Sequence, residues 1–363
     1  MLLEMAIGDA YGAGFEYAAP DFVRANHKLT GYAKHPKHSL VPGSYTDDTQ
    51  MSIANAEMIV GNTVNREALA QAYVTAFKRD QREGYAGGFY RFLCDVKDGT
   101  EFLARMKPQS DKSGGAMRAL PFGIYPDVST VIEMASLQAA ITHNTTDGIN
   151  AAVAAALMAH YFLYNKGPKA NLADYIAQHV PGNWADWNEP VGEKGWMAVR
   201  AAVTAVMSGN TMSEILRISI DFTGDVDTVA ALALGAAAAS PEVAQDLPAV
   251  LVDGLESGPY GREFLRDLDK QLMVSMAAQV KKTAQPSTTP AARRLLVVQS
   301  PEQWTGYVSE QTFLEIPANM DVPREEQAWF ASGGDSSGKS FADYLISQGA
   351  VKVAAEIWSI NYQ

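Results

Sequence analysis

An acidic stretch at the start of an apolar helix constrains this chain more than any other feature. Segment 43–51 reads GSYTDDTQM, and its spacing predicts a helix capped by Thr46 with Asp47 and Asp48 in the first turn. Adjacent carboxylates repel each other, and the positive end of the helix dipole offsets this by only ~0.3–1 kcal/mol each. An isolated TDDT is most often an ordinary capped helix start. The other acidic residues decide whether a cation belongs here.

A second acidic stretch has the same layout. In segment 218–239, ISIDFTGDVDTVAALALGAAAA, two aspartates flank one valine, a threonine follows and an apolar helix begins. If the two helix starts face each other, they supply only oxygen ligands. The predicted ligands are Thr46, Asp47, Asp48, Asp225, Asp227 and Thr228. Such a set suits Mg²⁺ or Mn²⁺ rather than zinc or copper. Because an unpaired buried ion costs several kcal/mol, the joint pattern predicts a centre for two such ions.

Two further segments carry candidate site residues. Glycines at 8, 12 and 14 let backbones approach closely, and they leave Asp9 and Glu16 among apolar neighbours, where a carboxylate needs a partner. Further along, a loop contains Ser110, Ser113, Gly114 and Gly115. Small residues before the helix-like AMRAL segment would expose backbone N–H groups to an anion. A flexible loop without a ligand is an equally good interpretation of the glycine pair alone.

Histidines are harder to interpret. His143 lies in the junction 142–147, THNTTD, between two predicted helices of segment 128–164. A histidine at such a junction is more often a buried core residue than a functional one. His27, His35 and His38 fall within residues 20–42, which have turn formers and little periodicity. We expect this segment to be a surface loop and its histidines to be solvated rather than metal ligands.

Composition excludes several classes of protein. The chain has 363 residues, 47% of them hydrophobic, and a formal net charge of −12 with scattered basic residues, which argues against nucleic acid as a partner. Apolar runs are shorter than the ~20 residues of a membrane span, and a basic leader is lacking. We therefore expect a cytoplasmic protein without a membrane partner. A single cysteine, Cys94, rules out an internal disulfide and is expected to be a packing residue.

The periodicity predicts an all-α body followed by a small appendage. Alanine-rich helices such as the one at 150–160 indicate close helix packing over residues 1–280. Residues 281–294 are rich in Pro, Ser and Thr and are predicted as a linker. Residues 295–363 are predicted as an α+β appendage. Its expected strands lie at 295–298, 313–316 and 355–362, and its expected helices at 323–331 and 340–348. The GGDSSGK sequence within it lacks the spacing of a phosphate-binding loop.

Five ordered segments together resemble the ADP-ribosylglycohydrolase family, which includes the dinitrogenase-reductase-activating glycohydrolase and the animal ADP-ribosyl-acceptor hydrolases. They are GDAYGAGFE (8–16), YTDDTQM (45–51), SGGAMRALP (113–121), THNTTD (142–147) and GDVDTVAALALGA (224–236). The resemblance covers residues 1 to about 270. It implies a compact all-α fold with a binuclear Mg²⁺ or Mn²⁺ centre, and it leaves the appendage outside the family core.

The resemblance also implies residue roles. The six oxygen-bearing residues named above match the metal ligands, and the implied catalytic carboxylates are Glu16, Asp47 and Asp48. Ser110, Ser113, Gly114 and Gly115 match the loop that takes the diphosphate, and His143 matches a histidine close to the ribose and phosphate. Asp9 matches an aspartate with a structural role. Thr223 replaces a glycine of the family pattern, and the bulky Val226 between two aspartates could tighten the second metal position.

The expected activity is metal-dependent hydrolysis that removes ADP-ribose from a modified acceptor, with a protein side chain such as arginine as the favoured acceptor. The metals would orient a water, and nearby carboxylates would stabilise an oxocarbenium-like transition state. Two alternatives stay open. One is a non-catalytic ADP-ribose-binding or regulatory, immunity-type module, and the other is a hydrolase of a different ADP-ribose conjugate. The complete set of predicted ligands favours an enzyme.

Overall fold

The structure is a computed structural model. The structure describes residues 1–284, 293–299, 308–317, 320–331, 338–348 and 350–359. It divides into two compact units, Met1–Lys282 and Thr283–Gln363. Each unit is described by itself.

Regular structure in the first unit is helical throughout, as the alanine-rich periodicity predicted. Its helices are α1 (Leu2–Gly12), α2 (Pro20–Asn26), α3 (Asp47–Val60), α4 (Arg66–Arg79), α5 (Gly87–Asp95), α6 (Gly99–Arg105), α7 (Val128–Ala140), α8 (Thr146–Leu163), α9 (Leu172–Ala177), α10 (Gly195–Ser208), α11 (Met212–Asp221), α12 (Val226–Ala237), α13 (Ala249–Gly254) and α14 (Arg262–Ala284), which runs across the unit boundary. Short 3₁₀ turns lie at Ser113–Gly115, Leu120–Ile124 and Lys169–Asn171. Within the described ranges, no helix is both long and apolar enough to cross a bilayer.

Helix α12 is the centre of this unit. All 12 of its residues are buried, and α1, α10 and α11 pack around it. Helix α8, also rich in alanine, packs between α7, α10 and the 3₁₀ turn at Leu120–Ile124. Because alanine has a small side chain and a high helix propensity, it allows the helix axes to approach without weakening either helix.

Helix α1 packs closely against α12, and this contact depends on two glycines. A Cβ atom built on Gly8 would lie 2.4 Å from the carbonyl oxygen of Ala230. One built on Gly12 would lie 2.4 Å from the Cα atom of Asp227. The end of α1 is therefore pressed against the start of α12, where the second acidic stretch lies.

The second unit has a three-stranded antiparallel sheet in the order β1-β2-β3, formed by β1 (Arg293–Gln299), β2 (Val308–Pro317) and β3 (Val351–Ser359). Helices α15 (Val322–Ala331) and α16 (Gly338–Ser347) lie between β2 and β3 in sequence. Leu314 and Ile316, two residues apart on β2, share one face of the sheet and join a core with Trp329, Phe341 and Leu345. The predicted α+β content of this region is confirmed.

Several local predictions were wrong. Residues 20–42 contain helix α2, which begins at Pro20, a residue suited to the first helical turn. The AMRAL segment is not an α-helix: its first four residues lie between two 3₁₀ turns, and Leu120 begins the second turn. Helix α14 continues to Ala284, inside the predicted linker, and the described structure resumes with β1 at Arg293. Cys94 is exposed on α5 rather than packed.

Parts of three predictions lie outside the described residues. These are residues 285–292 of the predicted linker, residues 333–337 of the GGDSSGK segment and the end of the last predicted strand after Ser359.

The substitution Gly8→Ala should lower the free energy of unfolding by about 1–3 kcal/mol, because the new methyl group would force the backbones of α1 and α12 apart. Gly88→Ala is the matched control. Gly88 lies in a helix with no atom within 4 Å of a built Cβ, so alanine there should be neutral or stabilising by up to ~1 kcal/mol. Urea denaturation of both variants measures the difference. Equal stabilities would mean that α1 and α12 do not need this close approach.

Candidate active site

The side chain of Asp9 on α1 fixes the start of α3. Its buried carboxylate accepts hydrogen bonds from the backbone N–H groups of Thr46 and Thr49, each at 3.0 Å. It also accepts from the Thr46 hydroxyl at 2.8 Å and the Thr49 hydroxyl at 2.6 Å. Thr46 is the N-cap of α3, as predicted, and its hydroxyl oxygen accepts from the N–H of Asp48. One carboxylate therefore sets the position of Asp47 and Asp48.

The second acidic stretch is fixed by backbone contacts. Asp225 caps α12, and its N–H donates to the carbonyl oxygen of Val191 at 3.0 Å. The N–H of Thr228 donates to the carboxylate of Asp227 at 3.0 Å. Val226 is fully buried and is not among the residues that line the cavity described below. Its bulk therefore points into the packed core and does not narrow the cavity.

Carboxylates from three segments meet at this place. Oxygen atoms of Glu16, Asp225 and Asp227 lie within 4.8 Å of one another. Burial raises the pKa of Glu16 to about 7, and the charges of Asp225 and Asp9 add to this rise. Burial and neighbouring carboxylates also hold the pKa of Asp48 well above its usual range. The carboxylates repel one another without a cation.

The same cluster contains carboxylate oxygens with no partner. Among the described residues, Asp48 Oδ1 and Asp225 Oδ2 are buried and have no hydrogen-bond partner. A buried carboxylate oxygen that lacks a donor costs free energy unless a cation occupies the space beside it. Since the surrounding donors are carboxylates and threonine hydroxyls, these residues could hold a divalent cation that prefers oxygen ligands.

The cluster opens into a cavity of about 570 Å³. Residues predicted from the sequence that line it are Glu16, Asp47, Asp48, Ser110, Ser113, Gly114, His143, Asp225, Asp227 and Thr228. Two predicted site residues do not line it. Thr46 is buried behind the cluster, where its hydroxyl hydrogen is donated to Asp9. Gly115 lies under the imidazole of His143, with a built Cβ 3.1 Å from the ring.

His143 is a neutral side chain in this cavity. Burial lowers its pKa to about 3, and the nearby Arg118 charge acts in the same direction. Arg118 donates to the hydroxyl oxygen of Thr142 at 2.7 Å, so the hydroxyl hydrogen is free to bond His143 Nδ1, also at 2.7 Å. This arrangement leaves the ring hydrogen on Nε2. His143 is thereby suited to donate a hydrogen bond to an anionic oxygen.

Segment 191–195 connects the two halves of the site. The N–H of Ser113 donates to the carbonyl oxygen of Glu193 at 3.0 Å, and Val191 exchanges backbone hydrogen bonds with the segment 223–225. The Ser113 and Thr228 hydroxyls also interact with the carboxylate of Asp225. The loop predicted to take a diphosphate and the second acidic stretch are therefore held together.

Several residues that line the cavity were missed by the sequence analysis. Tyr17, half exposed, and Glu193 lie on its wall with Phe89 and Phe92. Arg118 is fully buried and could have been noticed, because a lone cation within the apolar SGGAMRALP segment needs partners. Phe89 and Phe92 come from α5, and Tyr17 and Glu193 come from two separate loops, none of them with a distinguishing pattern. Only the fold brings them to the site.

Comparison with known proteins defines the class. The ADP-ribosylglycohydrolase family profile matches residues 1–284, and the chain belongs to this family. ADP-ribosylhydrolase ARH3 of Xenopus tropicalis is 27% identical over 192 residues, which are 49% of this chain and 54% of the relative. ADP-ribosylarginine hydrolase Tri1 of Pseudomonas putida (strain GB-1) is 24% identical over 255 residues, 64% of this chain and 67% of the relative. The chain thus spans about half the length of the ARH3 relative.

A solved structure has the same fold. One chain of an "ADP-ribosylglycohydrolase-related protein complex" aligns with a TM-score of 0.59 and 22% sequence identity. The alignment covers 76% of this chain and 96% of the other. At this level of identity, the likeness shows the fold alone.

The carboxylate cluster should make the chelator-treated protein less stable as the pH rises. The pKa of Glu16 is about 7 in the folded protein and 4.5 ordinarily, so the folded state binds the proton more tightly. Raising the pH between these values therefore favours unfolding, by on the order of 3 kcal/mol for this group. Thermal unfolding with a chelator should show Tm falling over this window, and less so in Glu16→Gln. Mg²⁺ should raise Tm most above about pH 7, where the carboxylates are ionised. A chelated protein whose Tm rises through the window would contradict this cluster.

Proposed function

We propose that this chain hydrolyses the glycosidic bond between ADP-ribose and an acceptor and releases ADP-ribose. The observation that carries the proposal is the set of buried, mutually repelling carboxylates with two unpartnered oxygens in the wall of a cavity of about 570 Å³. Ordinary structural aspartates have partners. Family membership and the names of the relatives support the same chemistry.

Two divalent cations, Mg²⁺ or Mn²⁺, fit the donors of this cluster. The residues that would hold them are Thr46, Asp47, Asp48, Asp225, Asp227 and Thr228, with Glu16 close enough to supply a further oxygen. When bound, such ions polarise substrate oxygens and lower the pKa of a coordinated water. Thr46 can contribute only a lone pair, because its hydrogen is donated to Asp9.

The remaining chemistry is assigned to side chains of the cavity. Glu16, with a pKa of about 7, can accept a proton from water and return it to the leaving group near neutral pH. His143 would donate its Nε2 hydrogen to a phosphate oxygen, and the small residues of the loop at 113–115 would present N–H groups to the diphosphate. Carboxylates around the anomeric carbon would stabilise the positive charge that develops there.

An ADP-ribosylated arginine is the acceptor that the cavity favours. The Glu193 carboxylate is 58% exposed, and its charge, like those of Asp225 and Asp227, acts on the Tyr17 hydroxyl. A guanidinium group can pair with a carboxylate and stack on an aromatic ring, whereas a serine oxygen can do neither. Lys112, which pairs with Glu193 at 2.6 Å, would hold this carboxylate when no substrate is present. The relative Tri1, named as an ADP-ribosylarginine hydrolase, supports this choice.

The first test incubates the protein with arginine-linked and serine-linked ADP-ribosyl substrates, with Mg²⁺ or with a chelator. Released ADP-ribose is measured by mass spectrometry. Release should stop with the chelator. Asp48→Asn should lower the rate at least about a hundredfold, since the centre contributes several kcal/mol, and should also remove the Mg²⁺-dependent rise in Tm. Asp174→Asn, an exposed aspartate on α9, is the control and should behave as wild type. Full turnover by Asp48→Asn would refute the metal assignment.

The acceptor is tested with Glu193→Gln. Losing the carboxylate should reduce kcat/KM for arginine-linked ADP-ribose about 3- to 10-fold, because a partly exposed charged hydrogen bond is lost. The serine-linked substrate should be hardly affected. Glu189→Gln alters an exposed glutamate that is not among the cavity-lining residues and serves as the control. Equal losses on both substrates would mean that Glu193 does not recognise the acceptor.

A further inference from the structure

One peptide group beside the carboxylate cluster is held at both ends. The carbonyl oxygen of Glu16 is 2.8 Å from Nε2 of His35. The N–H of the same peptide, which belongs to Tyr17, donates to the carbonyl oxygen of Gly224 at 2.8 Å. The Glu16–Tyr17 peptide is thus held between the loop that carries His35 and the second acidic stretch. Its orientation decides where the Glu16 side chain can reach.

This peptide adopts a strained orientation. Tyr17 has φ +47°, in the left-handed region that side chains other than glycine rarely enter. Rotation of the Glu16–Tyr17 peptide would change ψ of Glu16 and φ of Tyr17 together and would relieve the strain. It would also break both hydrogen bonds. The strained orientation therefore persists only while its two partners hold the peptide.

The other hydrogen bonds of the His35 ring fix which of its nitrogens carries the hydrogen. Its Nδ1 accepts hydrogen bonds from the N–H groups of Lys37 at 3.0 Å and His38 at 2.9 Å. Nδ1 therefore carries no hydrogen. The ring hydrogen is on Nε2, which donates it to the backbone carbonyl oxygen of Glu16. The side chain is buried, at 3% exposure, so the prediction that it is solvated was wrong. A built Cβ on Gly14 would lie 2.6 Å from the carbonyl oxygen of Ala33, which shows that the two segments run side by side.

We propose that His35 is a positioning residue for Glu16. It holds the Glu16–Tyr17 peptide in its strained orientation and so keeps the Glu16 carboxylate beside Asp225 and Asp227. This inference rests on the proposed function for its kinetic consequence, but the peptide orientation itself does not depend on activity. His35 is not among the residues that line the cavity, so its effect on Glu16 is indirect.

Two substitutions separate the two roles of the ring. Asn places an acceptor near the position of Nδ1, so His35→Asn keeps the turn at 35–38 and loses the bond to Glu16. Gln places an N–H donor near the position of Nε2, so His35→Gln keeps the bond to Glu16 and loses the turn. We expect His35→Asn to lower kcat about 10- to 100-fold with little change in KM, because misplacing a catalytic group by about 1 Å has effects of this size. His35→Gln should retain kcat within about threefold of wild type.

The controls are His38→Asn and His38→Gln. The exposed His38 ring lies 4.4 Å from that of His35 between centroids, so these variants test loss of the ring contact alone and should keep the kcat of wild type. Equal losses in His35→Asn and His35→Gln, or a larger loss in His35→Gln, would overturn the proposal. So would an unchanged kcat in His35→Asn.

A second measurement does not depend on catalysis. Hydrogen exchange of the Tyr17 amide should be faster in His35→Asn than in wild type and close to wild type in His35→Gln. If the wild-type protein hydrolyses neither substrate, the proposed function fails, yet this exchange still decides the role of His35. Unchanged exchange in His35→Asn would overturn the inference even in an active enzyme.

Discussion

The rest of the site depends on the hydrogen bonds that the Asp9 carboxylate accepts. It is buried in α1, and it bonds the N–H and hydroxyl groups of Thr46 and Thr49 at the start of α3. The same helix is pressed against α12 through Gly8 and Gly12. Helix α1 therefore holds both acidic helix starts at once, and the loop after it supplies Glu16. An isolated acidic helix start would be only a surface feature. Here a rigid helix brings two of them together.

The carboxylate cluster works against the stability of the protein and is maintained by the packing around it. Every residue of α12 is buried, so the apolar packing around this helix supplies free energy that opposes repulsion between Asp225, Asp227 and Glu16. A cation that binds between these carboxylates would relieve their repulsion, and this relief would favour its binding. Burial acts on His143 too, but there it lowers the pKa. Beside Arg118, the buried imidazole stays neutral and can donate a hydrogen bond. Titratable groups at this site are tuned mainly by burial.

Much of the body and the acidic residues could be predicted because both have strong local signals. Apolar periodicity and alanine content mark α8 and α12, and Thr46 has the spacing of a helix cap. His35 and Glu193 could not be found, since their roles depend on contacts with residues distant in sequence. The solvated state expected for His35 was wrong because loop composition does not report which side chain turns inward. The helix expected over the AMRAL segment was wrong because five residues are too few for apolar spacing to establish an α-helix.

Two non-glycine residues with positive φ lie where the segment that carries Glu16 meets the second acidic stretch. Tyr17 has φ +47° and Thr223 has φ +63°, and neither is a glycine. The N–H of Tyr17 bonds the carbonyl oxygen of Gly224, and that of Val191 bonds the carbonyl oxygen of Thr223, so both strained residues adjoin one small set of backbone hydrogen bonds. A β-branched residue such as Thr223 is costly in the left-handed region of φ and ψ, and glycine would avoid this cost. Residues keep a strained backbone conformation where many surrounding contacts fix it. The buried core of α12 and the contacts of His35 supply that constraint, and they keep Glu16, Asp225 and Asp227 in a geometry that a relaxed backbone would not hold.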